Sequence, residues 1–354
     1  MLAGEYPFLR HAFLRALESS GCVGPDSGWS AAFPSLWDGD ALIAAMPLYR
    51  KTHSYGEYVF DWAWADAYAR NGLRYYPKFV NAIPFTPVTG PRLLATSEEQ
   101  RRALIDAALA LVRDERASSL HCLFPHHTDL DAMRAAGLMI RSDIQFHWHN
   151  HGYADFDAFL AGFNHAKRKK IKQERKHIGA AGLRFQRLTG TEIQARHWEF
   201  FERCYRGTYR AHHSTPYLNL AFFTELGASM ADNLLLVIAS RGAEPIAAAL
   251  NFFDSGNLYG RYWGALEMHA GLHFETCYYQ AIEFCIERGL AHFDAGAQGQ
   301  HKLARGFVPQ KTFSAHWLAH PQFAAAVETY LEHEGSAVEQ HFSELEERSP
   351  YRRA

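Results

Sequence analysis

The sequence is poor in cysteine and has no long apolar run. Its 354 residues include five cysteines, and no two of them have the C-x-x-C spacing of a redox or zinc motif. The longest apolar runs, such as 41–49 and 234–239, are strand-sized and fall well short of the roughly 20 residues of a membrane helix. The N-terminal segment carries charges throughout and is not an apolar signal segment. These absences predict a cytoplasmic protein with reduced cysteines and no integral membrane association.

Motifs of several common enzyme classes are also missing. The chain has no G-x-x-x-x-G-K-[ST] loop and no G-x-G-x-x-G, which disfavours nucleotide hydrolysis and dinucleotide redox chemistry. It has no G-x-S-x-G, which disfavours an α/β-hydrolase. The net charge of −2 means that any surface for an anionic partner must be local, and we predict no DNA binding.

A sizeable core can form, because hydrophobic residues make up 48% of the chain and charged residues 21%. The length fits two domains or one large one. Two regions, 36–65 and 234–265, follow one order: a polar turn, an apolar strand opening on Ile-Ala-Ala, a second turn, and an aromatic strand. The aromatic strand ends near Trp62 in the first region and near Trp263 in the second.

Each of these regions leads into an amphipathic helix, 98–115 or 274–288, and then into a short strand, 120–124 or 292–295. The repeated order predicts two copies of one domain, the first with an additional segment at 66–95. Chance similarity between two α+β segments is the alternative.

A basic run lies between the two copies, after a boundary that we place near 145–152. Its seven cations enclose one acid, Glu174; they are Lys167, Arg168, Lys169, Lys170, Lys172, Arg175 and Lys176. The run can bind phosphates of a cofactor or of RNA. A solvated helix is the alternative, as is a helix paired with the acidic tail, where seven glutamates and no Lys or Arg lie in 328–347.

Strand periodicity in 258–263 predicts that Tyr259, Arg261 and Trp263 share one side and that Tyr262 lies on the other. An arginine between two aromatic rings indicates a wet, aromatic-walled surface, whereas a core face is the alternative.

The start of the second helix carries His273, Phe274 and Glu275. Free backbone N–H groups at a helix start can bind an anion such as a pyrophosphate. The alternative is that Glu275 only caps the helix dipole.

The segment 293–313 holds the densest set of chemically active side chains. After a short strand it combines three glycines with polar and charged residues; these are Gly296, Gln298, Gly299, Gln300, His301, Lys302, Arg305 and Gly306. Such groups need partners or water, so we expect them at the end of a sheet, where sites are often built. His147, His149 and His151 alternate as zinc ligands on a strand do, but with 21 histidines in the chain we predict no metal site.

Four segments carry a resemblance to a known family: 75–94, 152–176, 271–290 and 293–317, the last reading FDAGAQGQHKLARGFVPQKTFSAHW. The chain resembles the FemAB-like N-acyltransferases of bacteria, within the GCN5-related N-acetyltransferase (GNAT) superfamily. Where GNAT proteins have the phosphate loop Gln/Arg-x-x-Gly-x-Gly/Ala, this chain has MHAGLHF with a single glycine, Gly271.

The resemblance implies an α+β fold with a tandem pair of GNAT-like domains, each a mixed, mostly antiparallel sheet flanked by helices. We place the first domain at 1–147 and the second at 148–354, the latter with the basic connecting helix and the acidic C-terminal helix. The implied reaction is transfer of an acyl or aminoacyl group to an amine. Fem-type relatives take amino acids from aminoacyl-tRNA for peptidoglycan precursors, and other GNAT members take acyl groups from acyl-CoA.

For this chain we predict acyl-CoA as co-substrate, no tightly bound cofactor, and a small-molecule or peptide-like amine as acceptor. A tRNA-dependent aminoacyltransferase and a catalytically inactive binding protein are the alternatives. The candidate catalytic residues are His301, Lys302, Glu275 and His273. The candidate donor-binding residues are Gly271, Phe274, Arg305, Lys169 and Lys170. The candidate acceptor-binding residues are Tyr259, Arg261, Tyr262, Trp263, Gln298 and Gln300.

Overall fold

The computed structural model describes residues 4–297 and 299–351 and divides into two compact units. Unit 1 contains 4–9, 23–144 and 311–343, and unit 2 contains 10–22, 145–310 and 344–351. The main division after Ile144 lies close to the predicted boundary at 147/148. The ranges differ from the prediction, because 10–22 belongs to unit 2 and most of the acidic C-terminal helix belongs to unit 1.

Thirteen strands are present in the described residues. They are β1 (Trp29–Ala31), β2 (Ser35–Asp38), β3 (Ala41–Ala45), β4 (Leu48–Lys51), β5 (Lys78–Asn81), β6 (Ser119–Leu123), β7 (Met139–His149), β8 (Leu183–Thr189), β9 (Leu234–Arg241), β10 (Glu244–Phe253), β11 (Asn257–Ala265), β12 (His292–Asp294) and β13 (Val308–Leu318). The α-helices are α1 (His11–Ser19), α2 (Trp62–Arg70), α3 (Glu98–Asp114), α4 (His127–Ala135), α5 (Phe156–Ala161), α6 (His165–Ala180), α7 (Ala195–Ala211), α8 (Leu220–Ser229), α9 (Leu272–Phe274), α10 (Gln280–Arg288) and α11 (Pro321–Glu347).

Unit 1 has a mixed sheet in the order β1-β4-β5-β6-β13, in which only β5 and β6 run parallel. The helix between them, α3, begins at Ser97, whose side chain accepts the backbone N–H of Gln100. Its apolar stripe packs on the sheet through Leu104, Ile105 and Ala108. The helix predicted at 98–115 is therefore confirmed.

The first copy of the repeat differs from the prediction in its third strand. No strand ends at Trp62, which instead begins α2, and the missing sheet strand is β5, inside the segment taken as an addition. The apolar strand with Ile43 is β3, which pairs with β2 in a separate two-stranded sheet. Pro47 separates β3 from β4 because it has no N–H to continue a ladder.

A buried ionic network occupies one end of β4 and β5. Lys78 is fully buried, and its ammonium donates to Ser54, Glu57 and Asp61. Lys51, its cross-strand neighbour, is also fully buried and lies 3.9 Å from Glu57. Buried charges persist only when they are paired in this way, so the network constrains the loop between β4 and α2.

Unit 2 has a mixed sheet in the order β7-β12-β11-β10-β9-β8, in which only β11 and β12 run parallel. A β-bulge interrupts β11: Leu250 pairs with Tyr262 and the next residue, Asn251, pairs with Gly260, so Arg261 has no opposite residue. The extra residue reverses the side-chain alternation beyond it.

The chain connects β11 to β12 through one helical segment with an irregular centre. The helix starts as α9, widens into a π-helical turn at Glu275–Tyr279 and continues as α10 to Arg288. Gly289 follows in the left-handed conformation (φ 66°) and ends the helix, as predicted. Wide turns of this kind are often found at functional sites because they displace side chains from the regular helical phase.

The acidic C-terminal helix and the cysteines have ordinary structural roles. Glu334 and Glu339 of α11 form ion pairs with Arg141 and Lys311. All five cysteines are free thiols, and four of them are buried. In the described part of the chain, no helix combines the length and the apolar character required to cross a membrane.

Candidate active site

Three elements of unit 2 bring the predicted site residues together: the end of β11, the start of the α9–α10 segment, and the 3₁₀ turn Gln300–Arg305 that follows β12. Gly299 precedes this turn at φ 116°, a conformation that L-residues rarely adopt. We call His273, Phe274, Tyr278, His301 and Arg305 the His301 cluster.

His301 makes the central hydrogen bond of this cluster. Its Nε2 lies 2.9 Å from the hydroxyl oxygen of Tyr278 on the π-helical turn. Burial, followed by the nearby cations Arg305 and Lys302, lowers the pKa of His301 below its ordinary value of 6.5. The imidazole is therefore neutral near pH 7 and able to accept a proton.

His273 packs in the centre of the aromatic residues. Its ring centroid lies 5.2 Å from those of Trp263 and Tyr278 and 6.0 Å from that of His301. Burial, then the charges of His301 and Arg305, lowers the pKa of His273 to about 4. A neutral ring in this packing serves as a wall of the site.

Arg305 holds the 3₁₀ turn in place. Its guanidinium carbon lies 3.2 Å from the ring centroid of Phe274, and its Nη1 donates to the backbone oxygen of His301 at 2.9 Å. The residue is only 5% exposed, and its Nη2 donates to both carboxylate oxygens of Glu174 at 3.0 and 3.2 Å. Arg305 was predicted to bind the donor; instead, all of these contacts are made within unit 2.

Lys302 is buried beside the same turn, with 1% of its surface exposed. Its ammonium donates to the backbone oxygen of Gly296 at 2.6 Å. Burial lowers the pKa of Lys302 to about 8, against the attraction of Asp294, so the side chain is mostly cationic at pH 7. Lys302 therefore places a buried positive charge against the backbone of the loop at Gly296.

The start of α9 is covered by α6. Both oxygens of Glu275 accept hydrogen bonds from Arg175, at 2.8 and 3.0 Å, and one accepts the side-chain amide of Gln280. A Cβ placed on Gly271 would lie 3.5 Å from Ile178 of α6. We therefore reassign Glu275 from candidate base to ion-pair partner, and the predicted anion cradle at Gly271 is packed against a helix.

The bulge in β11 corrects the prediction for the aromatic strand. Tyr259 pairs with Phe252 and Tyr262 with Leu250, so both tyrosines lie on one face, and Trp263, paired with Ala249, lies on the other. Tyr262 is buried against Tyr205 of α7, with centroids 5.6 Å apart, and the Tyr259 hydroxyl donates to Asp254.

Among the predicted acceptor residues, Trp263 therefore contacts the His301 cluster, while Tyr259 and Tyr262 belong to the core on the opposite face. Arg261 is the bulged residue, and its guanidinium lies 5.2 Å from the Tyr262 ring centroid. Gln300 is exposed at the start of the 3₁₀ turn. Gln298 lies outside the described residues.

The basic run forms the exposed side of α6. Ile171 and Ile178 are buried at helical spacing, with Glu174 and Arg175 on the same inward side. Lys169 and Lys170 are exposed, and within the described residues neither forms an ion pair. The two lysines remain available to a partner but lie outside the His301 cluster.

The alternating histidines at the end of β7 contact side chains of β12. His147 Nε2 lies 3.8 Å from Asp294, and the Nδ1 atoms of His149 and His292 are 2.8 Å apart. In the range that the structure describes, no three or more His, Cys, Asp or Glu side chains are arranged to hold a metal ion.

Sequence reasoning missed Tyr278 and Glu174. Tyr278 lies inside the helix predicted at 274–288 but was not named as a site residue, and Glu174 was noted only as the single acid in a basic run. The negative charge of Glu174 within a run of cations was the signal that could have been used. An acid that faces the interior from a helix requires a hydrogen-bond or ion-pair partner on another segment.

Comparison with known proteins identifies the family. A family model described as peptidoglycan biosynthesis/recognition, FemAB_like, matches residues 1–353. None of the curated proteins matches the chain in sequence.

Solved structures share the fold at low sequence identity. The crystal structure of FemX is 12% identical, with 90% of this chain and 93% of that chain covered and a TM-score of 0.55. The structure of L-PGS from Bacillus licheniformis is 9% identical, with 91% and 96% covered and a TM-score of 0.53. The predicted α+β class, with a mixed, mostly antiparallel sheet and helices in each of two units, is confirmed.

A match over nearly the whole chain shows that the protein belongs to the FemAB-like family of peptidoglycan biosynthesis and recognition.

Proposed function

We propose that unit 2 transfers an acyl or aminoacyl group to an amine, with His301 as general base. The observation that carries this proposal is the neutral imidazole of His301, held by Tyr278 beside two buried cations. An amine attacks a carbonyl only after it has lost a proton, and a base that is neutral at working pH removes it.

In the proposed reaction the amine nitrogen attacks the carbonyl carbon of an activated ester or thioester. A C–N bond forms, the carbonyl oxygen becomes an oxyanion, and the proton of the nitrogen passes to His301. The oxyanion then collapses, the C–O or C–S bond breaks, and the leaving group takes the proton from His301, which returns to its neutral form. Lys302 and Arg305 provide positive charge near the developing oxyanion, which favours the transition state over the ground state.

Acyl-CoA and aminoacyl-tRNA are the two candidate donors, and the surroundings of α9 and α6 favour one of them. A coenzyme A pyrophosphate would need the free N–H groups at the start of α9, where Ile178 and Arg175 of α6 are packed. The exposed lysines of α6 instead support an RNA-borne donor, an aminoacyl-tRNA. We therefore favour aminoacyl-tRNA over the acyl-CoA that the sequence predicted, and a peptidoglycan precursor amine as the acceptor.

A binding and transfer assay tests this choice. The protein is mixed with acetyl-CoA, longer acyl-CoAs, deacylated tRNA and aminoacyl-tRNA, and thermal shifts are followed by transfer assays with peptidoglycan precursor peptides. A donor at 100 times its Kd stabilises the folded state by about 2.7 kcal/mol. We expect a shift and product with aminoacyl-tRNA. Product with acyl-CoA alone contradicts the donor assignment, and binding without any product indicates an inactive binding protein.

The exposed lysines give a second test. We expect Lys169→Glu with Lys170→Glu to weaken binding of aminoacyl-tRNA and to lower the slope of log affinity against log salt by about 1 to 2. The measurement is a salt titration of binding by fluorescence anisotropy. Arg70→Glu with Arg74→Glu is the matched control, because both arginines are exposed in unit 1 and the change in net charge is the same. Equal loss in the two double variants would show only the effect of overall charge.

A further inference from the structure

Glu174 differs from its neighbours on α6 in both charge and direction. It is the one acid among the seven cations of 167–176, and its side chain is 19% exposed, on the inward side with Ile171 and Ile178. An inward carboxylate on a basic helix needs strong partners, and here they come from segments more than 100 residues away.

Two contacts occupy this carboxylate. The hydroxyl of Tyr279 donates to Glu174 Oε2 at 2.6 Å, and Nη2 of Arg305 donates to both oxygens at 3.0 and 3.2 Å. Tyr279 lies on the π-helical turn beside Tyr278, which bonds His301. Glu174 thus joins the two segments that carry the His301 cluster.

The connection to His301 runs through Arg305. One nitrogen of the guanidinium binds Glu174, another donates to the backbone oxygen of His301 at 2.9 Å, and its plane lies over Phe274. Because Arg305 is 5% exposed, loss of the carboxylate would leave a buried cation without its counter-charge. The 3₁₀ turn would then have to shift to bring Arg305 to water.

We propose that Glu174 is a positioning residue, which fixes the 3₁₀ turn Gln300–Arg305 and thereby the distance of His301 from the reacting amine. It acts through Arg305 and Tyr279 and does not itself touch the substrate. The catalytic consequence rests on the proposed function, whereas the structural consequence for the turn does not.

The test compares Glu174→Gln with Glu287→Gln. Glu287 is a matched control, because it also accepts a hydrogen bond from an arginine of unit 2, at 2.8 Å, but this arginine is Arg187 of β8 and does not belong to the 3₁₀ turn. Hydrogen exchange of a peptide covering 300–307 is expected to be about 10-fold faster in Glu174→Gln and unchanged in the control. Unchanged exchange in both variants would overturn the proposal.

Kinetics provide the second readout. A misplaced base lowers kcat, so we expect about a 10- to 100-fold loss of kcat with little change in KM for Glu174→Gln. The double variant Glu174→Gln with Arg305→Lys should lose no more kcat than Arg305→Lys alone, because both substitutions break the same chain of contacts from Glu174 to His301. Additive losses, or a loss confined to KM, would contradict the role.

The two ideas fail in different ways. If the wild-type protein transfers no acyl group from any donor, the proposed function fails, and the exchange measurement still decides whether Glu174 positions the turn. If transfer occurs and the exchange rates of wild type and Glu174→Gln are the same, only the positioning role fails.

Discussion

Replacing His301 by alanine is expected to lower kcat by about 10²- to 10⁴-fold, the contribution typical of a general base. The side chain is exposed enough to be lost without a cavity, and its ring nitrogen bonds the hydroxyl of Tyr278. We therefore expect the melting temperature to change little. The measurement is steady-state transfer with whichever donor gives product in the transfer assay, together with a thermal melt.

The lowered pKa of His301 also predicts how the activity depends on pH. His301 must be neutral to accept a proton, and burial and the cations Arg305 and Lys302 lower its pKa below 6.5. Activity should therefore persist below pH 6.5 and fall only as the pH drops through the lowered value in the folded protein. This acid limb should vanish in the residual activity of His301→Ala.

The control for His301 is His292→Ala. His292 is exposed, belongs to unit 2 and also bonds through a ring nitrogen, to His149. We expect it to keep wild-type kcat. A His301→Ala protein with wild-type kinetics and an unchanged acid limb would remove His301 from the mechanism.

The largest expected effect on stability comes from Lys78→Met. Lys78 is fully buried and donates to Glu57 and Asp61, which are 4% and 3% exposed. Removing one partner of a buried ion pair leaves an uncompensated charge and costs about 3–5 kcal/mol. We expect the free energy of unfolding of unit 1 to fall by that amount, measured by urea denaturation at pH 7.

The loss should depend on pH. Burial raises the pKa of Glu57 to about 7 even with Lys78 present. At Asp61 burial also acts to raise the pKa, but Lys78, followed by His121, outweighs it and holds the pKa below its ordinary value. Without Lys78 both carboxyls titrate above their unfolded values. At low pH both carboxyls are then protonated, and the folded protein can bury them as neutral groups. At higher pH they ionise without a counter-charge, which lowers the free energy of unfolding. The deficit relative to wild type should grow from pH 5 to pH 8.

Lys51→Met is the matched control for this prediction. Lys51 pairs with Lys78 across the strands and is equally buried, but burial lowers its pKa to about 7, so it carries only part of a charge. We expect a cost of no more than about 1 kcal/mol. If Lys78→Met does not fold, adding Glu57→Gln and Asp61→Asn should restore folding. Equal costs for Lys51 and Lys78 would contradict the assigned charges.

Local patterns predicted those parts of the fold that local physics determines. The helix α3 follows from its apolar spacing, and the short strands after the two predicted helices are β6 and β12. The strand β5 was missed because it has only four residues and begins on a lysine. Lys78 is buried there by carboxylates 17 and 21 positions away, and such partners cannot be read from a periodic pattern.

The structure brings some of the candidate residues together, in an arrangement that the sequence did not predict. The 3₁₀ turn, His273 and Trp263 do come together, because they follow strands whose ends meet at one edge of the sheet. The prediction for Tyr259 and Tyr262 was wrong because it assumed an uninterrupted strand. Gly260 beside Arg261 was a sign of the bulge, since glycine within a strand often marks one.

The division of the chain has a consequence for how the protein is made. Unit 1 is completed by residues 311–343, whose strand β13 pairs with β6 between Ser314 and Leu318. On the ribosome, the edge of β6 therefore stays open until some 190 further residues have emerged. The strands of unit 2 can pair among themselves earlier, so unit 1 should be the later of the two units to become resistant to protease.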